Sequence, residues 1–311
     1  MSGVALGVRI GTLDLPSPVL PASGTFGIGH ARAFDLSRLG AIVPKTVTPA
    51  VRAGHPAPRL VEAAGGLINA IGIPSVGIAA FVETVLPRYA GLGPPLIASL
   101  SADTADAFAG AAAQLAEAPI DGLELNLSCP NLEAAGDLFA ANPEASARVV
   151  AACRAVTSLP LWCKLSAAAS RPADVARAIE VAGADALILT NTFPAMALDA
   201  AGRPRLANRT GGLSGAPLKP IVLRLVDDVR RATALPLIGC GGISTLRDAL
   251  DYFAVGCSAV AVGTATLVRP RAMDRLIDDL AAHCAAHGLA AHEVVGGPAY
   301  APATKDKESA R

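Results

Sequence analysis

The sequence predicts a (β/α)8 TIM barrel, and three observations carry that expectation: eight short apolar runs, helical patterns between them, and an apolar content that is even along the chain. Of 311 residues, 52% are hydrophobic, which argues for one continuous core rather than two small ones. The runs are PVLPAS (18–23), AIVPKT (41–46), LIASL (96–100), GLELNLSC (122–129), LWCKLS (161–166), ALILTNT (186–192), LIGCGG (237–242) and AVAVGT (259–264). They are continuous rather than alternating, as strands buried on both faces are. Eight such strands joined by helices close into a parallel barrel.

Taken in order, residues 4–15 read as a hairpin turning at Gly11. The connections then read as helices. Ser101 or Asp103 can cap the Ala-rich run to Glu117, and Asn142-Pro143-Glu144 supplies a cap, a first-turn proline and a first-turn acid. Pro172 and Pro220 open two more helices, Thr245 with Asp248 makes a capping box, and Gly183 and Gly256 close helices. The alternation of strand and helix is expected throughout. Residues 47–76 and 193–216 are too long for simple crossovers and should fold over the barrel mouth. Residues 130–142, which follow Cys129 and hold Gly136, form a candidate lid. The domain is expected to span 1–293, with 294–311 as a mobile tail.

Composition excludes several partners. Twenty-six basic residues balance 26 acidic ones, and no basic stripe is interleaved with aromatics, so nucleic acid is not expected. No apolar stretch reaches 18 residues and the start lacks a signal-peptide pattern, so the reading is a cytoplasmic protein without a membrane segment. Six cysteines, at 129, 153, 163, 240, 257 and 284, form neither a disulfide framework nor an iron–sulfur motif.

In a TIM barrel the site lies where strands end at their C-terminal side. Those ends read Ser23, Lys45 and Thr46, Ser99, Asn126 and Cys129, Lys164, Asn191 and Thr192, Gly241 and Gly242, and Gly263 and Thr264. Amides at a strand mouth need partners, because a buried amide left unpaired costs about 1–3 kcal/mol. Cys129 adds a group that can exchange a proton near neutral pH, although a single cysteine is more often an inert hydrophobe. A lysine at a strand end can equally be a snorkelling surface group. GCGGIS and VGTATL, after strands seven and eight, offer backbone N–H groups unobstructed by side chains, which is a phosphate cradle unless the glycines only make tight turns. TGGLSG (210–215) can bring backbone close to a flat ligand. Phosphate, two lysines and a thiol together point to flavin chemistry, one lysine stabilising a reduced anionic flavin and the other holding an anionic substrate.

The motifs PASGTFG (21–27), PKTVT (44–48), NAIG (69–72), ELNLSCPN (124–131), KLS (164–166), NT (191–192), GGLSGAPLKP (211–220), GCGGI (239–243) and VGTA (262–265) resemble class 1 dihydroorotate dehydrogenases, from about residue 8 to 285. The resemblance implies FMN in a TIM barrel and oxidation of dihydroorotate to orotate. It assigns Cys129 as the base, and Lys45, Asn69, Gly72, Asn126, Asn131, Asn191 and Thr192 to the substrate. It assigns Ser23, Lys45, Thr46, Asn126, Lys164, Thr190, Gly215, Gly241, Gly242, Gly263 and Thr264 to FMN. The stretch after Cys129 is most similar to class 1B, which implies a partner subunit carrying FAD and an iron–sulfur cluster that reduces NAD, in a heterotetramer; the alternative is a homodimer. This chain departs from the pattern at Ser99, where the family usually has Asn, and at 166–173 and 73–75. Rival readings are a dihydropyrimidine dehydrogenase-type flavoenzyme, disfavoured by Asn131, a Schiff-base lyase using Lys164, and a flavin-binding module without catalysis.

Overall fold

The computed structural model describes residues 4–127, 142–167, 169 and 171–296. Seven parallel strands form one curled sheet in the ring order one, eight, seven, six, five, four, three: Val19–Pro21, Ala259–Val262, Leu237–Gly239, Ala186–Leu189, Leu161–Lys164, Gly122–Asn126 and Ile97–Leu100. The second segment, 41–47, closes the ring. Ile42 and Val47 bridge in parallel to Leu96 and Leu100, and Gly40 N donates to Val19 O at 2.7 Å. Gly40 must be glycine, since a Cβ there would lie 2.2 Å from Ser17 O. The protein is a TIM barrel, as its eight apolar runs predict.

Strand alternation divides the core in two. Leu123, Leu125, Leu187 and Leu189 face outward to the helices, while Leu20, Val43, Ile97, Trp162, Ile188 and Ile238 face inward. The inner wall is otherwise lined with small residues such as Ala22, Ala41, Ala186 and Ala261, which leaves room for the indole of Trp162. The predicted hairpin is present as Val8–Ile10 and Leu13–Leu15, with Gly11 at φ 59°. It plugs the bottom of the barrel: Val8, Ile10 and Leu15 join the inner cluster, and fully burying an aliphatic side chain contributes about 1.5–3 kcal/mol.

Most predicted helices begin where expected. Asn142 accepts from Glu144 N and Ala145 N ahead of Pro143–Arg154, Pro172–Val181 starts on its proline, and Thr245 and Asp248 form the capping box of Leu246–Ala254. Two expectations are corrected. Thr104, rather than Ser101 or Asp103, caps Ala105–Ala116, because the Ser101 hydroxyl is buried and donates to Asn126 O. The first connection carries no α-helix, only the 3-10 turns Ile28–Arg32 and Leu36–Arg38, where Phe26, Phe34 and Leu36 cover the barrel instead. At the far end Ala291–Val294 is helical, Ala291 N donates to Ala5 O, and Gly296 N donates to Cys257 O. Among the described residues no helix is long and apolar enough to cross a membrane.

The two long connections build a structure that the sequence reading had not drawn. They pair with each other in an antiparallel sheet ordered Phe193–Ala195, Gly211–Gly215, Gly66–Asn69, Leu60–Ala63. It is closed by its own small core of Ile68, Ala70 and Leu206. The candidate lid at 130–141, with Gly136, falls outside the described residues.

Candidate active site

The strand ends converge as the barrel geometry requires. Lys164 ends strand five 4% exposed, and its Nζ donates to Ser23 Oγ, beyond strand one, at 3.2 Å. Lys45 approaches the same turn: a Cβ on Gly24 would lie 3.6–3.9 Å from its Cδ, Cε and Nζ. The strand register places Asn126 directly beside Lys164, and Asn126 is 7% exposed. Thr190 is buried and its Oγ1 donates to Asn191 O. Two lysines, an amide and a serine therefore meet at one mouth. The Thr46 hydroxyl contacts Ser99 Oγ at 2.9 Å.

The glycine turns sit side by side. Gly242, at φ 70°, packs so closely on the next element that a Cβ would meet Lys219 N and Cβ at 2.9 Å. A Cβ on Gly263 would stand in ordinary contact with Ala22 Cβ at 3.6 Å and Thr25 Cγ2 at 3.8 Å. Among the described residues no group accepts from the backbone N–H of Gly241, Gly242 or Gly263. Free N–H groups converging after strands seven and eight fit an anionic phosphate. The tight-turn reading is also correct for Gly242; the unpartnered donors are what it leaves unexplained.

A polar clamp holds this region. Asp248 Oδ2 accepts from Ser244 N, Ser244 Oγ, Thr245 N and Thr245 Oγ1 at 2.8–3.2 Å, and Oδ1 accepts from Lys219 Nζ at 2.6 Å. Burial works against the Asp248 charge, yet Lys219, Thr245 and Ser244 outweigh it and its pKa is lowered. Burial likewise opposes the Lys219 charge, but Asp248 and Asp251 outweigh it and raise its pKa. Tyr252 Oη donates to Gly241 O at 2.6 Å, and burial raises the pKa of this phenol, so it remains a donor. Thr264 Oγ1 donates to Ser214 Oγ at 2.7 Å, tying the end of strand eight to the covering sheet beside Gly215. A Cβ on Gly215 would lie 2.6 Å from Gly66 Cα.

The covering sheet carries the remaining amides. Asn69 Nδ2 donates to Gly212 O at 3.2 Å, and a Cβ on Gly212 would fall 1.8 Å from Thr192 Oγ1. Gly212 is thus the point where Asn69 and Thr192 meet. Asn191 N donates to Leu165 O and its Oδ1 accepts from Thr192 N at 2.8 Å. Gly72, at φ 73°, is pressed on His55, whose N would be 2.7 Å from a Cβ. Cys129 and Asn131 lie outside the described residues. The five other cysteines are buried and unpaired with one another, and burial pushes Cys153 up to about 12, which suits packing and not proton transfer. The sequence reading passed over one inner-wall group, Glu124, 2% exposed and bonded to Ser99. Its spacing of two from Asn126 on a strand was the available signal, since such residues share a face.

A TIM barrel with unpartnered backbone donors past strands seven and eight, a buried lysine and a polar sheet beside the mouth has the architecture of barrel enzymes, whose sites lie at this end of the strands. The comparisons narrow it. The family model for dihydroorotate dehydrogenase matches residues 5–283, and this chain belongs to that family. It is 44% identical over 290 residues, 92% of this chain and 95% of the relative, to the protein of Trichlorobacter lovleyi named dihydroorotate dehydrogenase B (NAD(+)), catalytic subunit. Proteins of the same name from Geobacillus kaustophilus and Bacillus cereus are 42% and 41% identical over 281 residues, 89% of this chain and 90% and 91% of theirs. The resemblance to class 1B is therefore correct.

Proposed function

We propose that this chain is the catalytic subunit of a class 1B enzyme that oxidises (S)-dihydroorotate to orotate in de novo pyrimidine biosynthesis, using FMN. The single observation that carries the cofactor assignment is the juxtaposition of buried Lys164 on Ser23 with unpartnered amides at Gly241, Gly242 and Gly263. Ring and phosphate ends of a flavin mononucleotide both find donors there, with Thr46, Asn126, Thr190, Gly215 and Thr264 around them. FMN supplies the two-electron acceptor for the hydride leaving C6.

The chain's own residues do the rest. Cys129, as thiolate, takes the C5 proton, so that one proton and one hydride leave and a carbon–carbon double bond forms. Lys45, Asn69, Gly72, Asn126, Asn131, Asn191 and Thr192 hold the carboxylate and ring amides of the substrate. Asn69 lies in the sheet that closes the mouth and Thr192 directly precedes its edge strand Phe193–Ala195, so this cover would exclude water from the reacting atoms. Electrons would then reach NAD through a partner subunit that would carry FAD and an iron–sulfur cluster, in a cytoplasmic heterotetramer. The test supplies dihydroorotate and follows orotate. An artificial acceptor is expected to support turnover by this chain alone, and NAD only after the partner is added. Orotate formation that needs no flavin would overturn the assignment, as would NAD reduction by the isolated chain.

A further inference from the structure

Among the described residues Glu124 is the one acid on the barrel's inner wall, and the reaction just proposed makes no use of it. Ser99 Oγ donates to Glu124 Oε1 at 2.6 Å. A hydroxyl has a single proton, so Thr46 must be the donor in the 2.9 Å Thr46–Ser99 contact. The chain runs from Thr46 to Ser99 to Glu124 with each proton directed at the carboxylate, the order expected when an ionised acid terminates it.

Lys164 faces the same space. Trp162 stands opposite Glu124 in the register and Lys164 lies two residues on, so Glu124 and Lys164 are diagonal neighbours on one face of adjacent strands. Such neighbours are about 7–8 Å apart and within reach of long side chains. The hydrogen-bond partner of Lys164 is the neutral Ser23, and no salt bridge satisfies its charge among the described residues. Burying an ammonium is costly unless a counter-charge faces it. Burial raises the pKa of the Cys240 thiol, Lys164 lowers it and Glu124 raises it, so both charges act on the same stretch of wall.

We propose that Glu124 is a positioning residue: held by the Thr46–Ser99 hydroxyl chain, it is the counter-charge that keeps Lys164 an ammonium at the flavin site. This rests on the FMN reading for what Lys164 serves. Among the described residues the other titratable groups facing this space are Lys45 from segment two and Cys240 from strand seven. Strands one, three, six and eight present only apolar, hydroxyl or glycine positions there.

The experiment uses holoprotein in a Cys129→Ala background, which removes the other group expected to titrate near neutrality. The visible spectrum of bound flavin is recorded from about pH 6 to about pH 9, below the ordinary lysine value near 10.4. The parent spectrum is expected to be flat. Adding Glu124→Gln should introduce a one-proton transition, and adding Lys164→Met as well should abolish it. A flat Glu124→Gln spectrum with flavin bound overturns the proposal, as does a transition that survives Lys164→Met. If Glu124→Gln does not fold, Ser99→Ala carries the test, since loss of the tether should bring the same transition into the window, and a flat spectrum there overturns the proposal. A parent protein that binds no FMN overturns the cofactor reading and this proposal with it, whereas bound flavin with a flat variant spectrum overturns this proposal alone.

Discussion

Gly212→Ala strikes the covering sheet at the position where Asn69 and Thr192, two side chains proposed to hold substrate, meet. The added Cβ would stand 1.8 Å from Thr192 Oγ1 and 2.5 Å from Thr192 Cβ, some 1.6 Å short of the 3.4 Å at which ordinary contact begins. Thr192 is anchored by its own N–H to Asn191 Oδ1, and Asn69 Nδ2 donates to Gly212 O, so relief of the clash must displace one of these partners by more than 1 Å. A misplacement of about 1 Å costs on the order of 10²-fold in rate, or about 2.7 kcal/mol in the barrier. The expected result is a fall of about 10²-fold in kcat/KM for dihydroorotate. Flavin content should fall much less than kcat/KM, because Gly241, Gly242 and Gly263 lie on other elements and only Gly215 of the FMN set shares the strand of Gly212. Steady-state kinetics on protein of measured flavin occupancy provides the assay. A kcat/KM within about threefold of the parent, at full occupancy, would refute the argument that this glycine positions the substrate residues.

Other expectations follow from the same geometry. Gly242→Ala places a Cβ 2.9 Å from Lys219 at φ 70°, so FMN should bind about tenfold or more weakly while riboflavin, which lacks the phosphate, is affected much less; equal losses for both ligands would count against the cradle. Cys129→Ala should retain FMN and lose about 10²–10⁴-fold in dihydroorotate oxidation, and undiminished turnover would remove Cys129 from the chemistry. Asp248→Asn should destabilise the fold by about 1–3 kcal/mol at neutral pH, since it strips the charge from a carboxylate with five donors. The folded pKa of Asp248 is lowered below the ordinary aspartate value of 3.8, so its contribution is complete above that value and is lost as pH falls through the lower folded one. Denaturant melts of parent and variant should therefore converge in strong acid; a constant gap would contradict the linkage.

Much of this architecture was legible because a parallel barrel buries both faces of its strands, and continuous apolar runs such as ALIL at 186–189 have few other homes. The capping residues Asn142 and Thr245 were legible for local reasons, each satisfying N–H groups within three residues. The covering sheet was not, because its central pair joins Gly66–Asn69 to Gly211–Gly215, segments more than a hundred residues apart. Its glycines read as a loop: strand propensity disfavours glycine, and only close approach to Asn69, Thr192 and Gly66 explains why glycine is there. The missing first helix was equally illegible, since Phe26, Phe34 and Leu36 cover the barrel from short 3-10 turns without helical periodicity. Thr46 was placed correctly at a strand end, yet its hydroxyl points to Ser99, a choice made by Glu124 on a strand two positions around the ring.

Anaerobic titration of the purified chain with dihydroorotate tests the central claim most directly. The account predicts a yellow protein whose visible flavin band bleaches with one equivalent of substrate per bound flavin and yields one equivalent of orotate. A colourless protein competent in orotate formation, or bound flavin that substrate leaves oxidised, would contradict it.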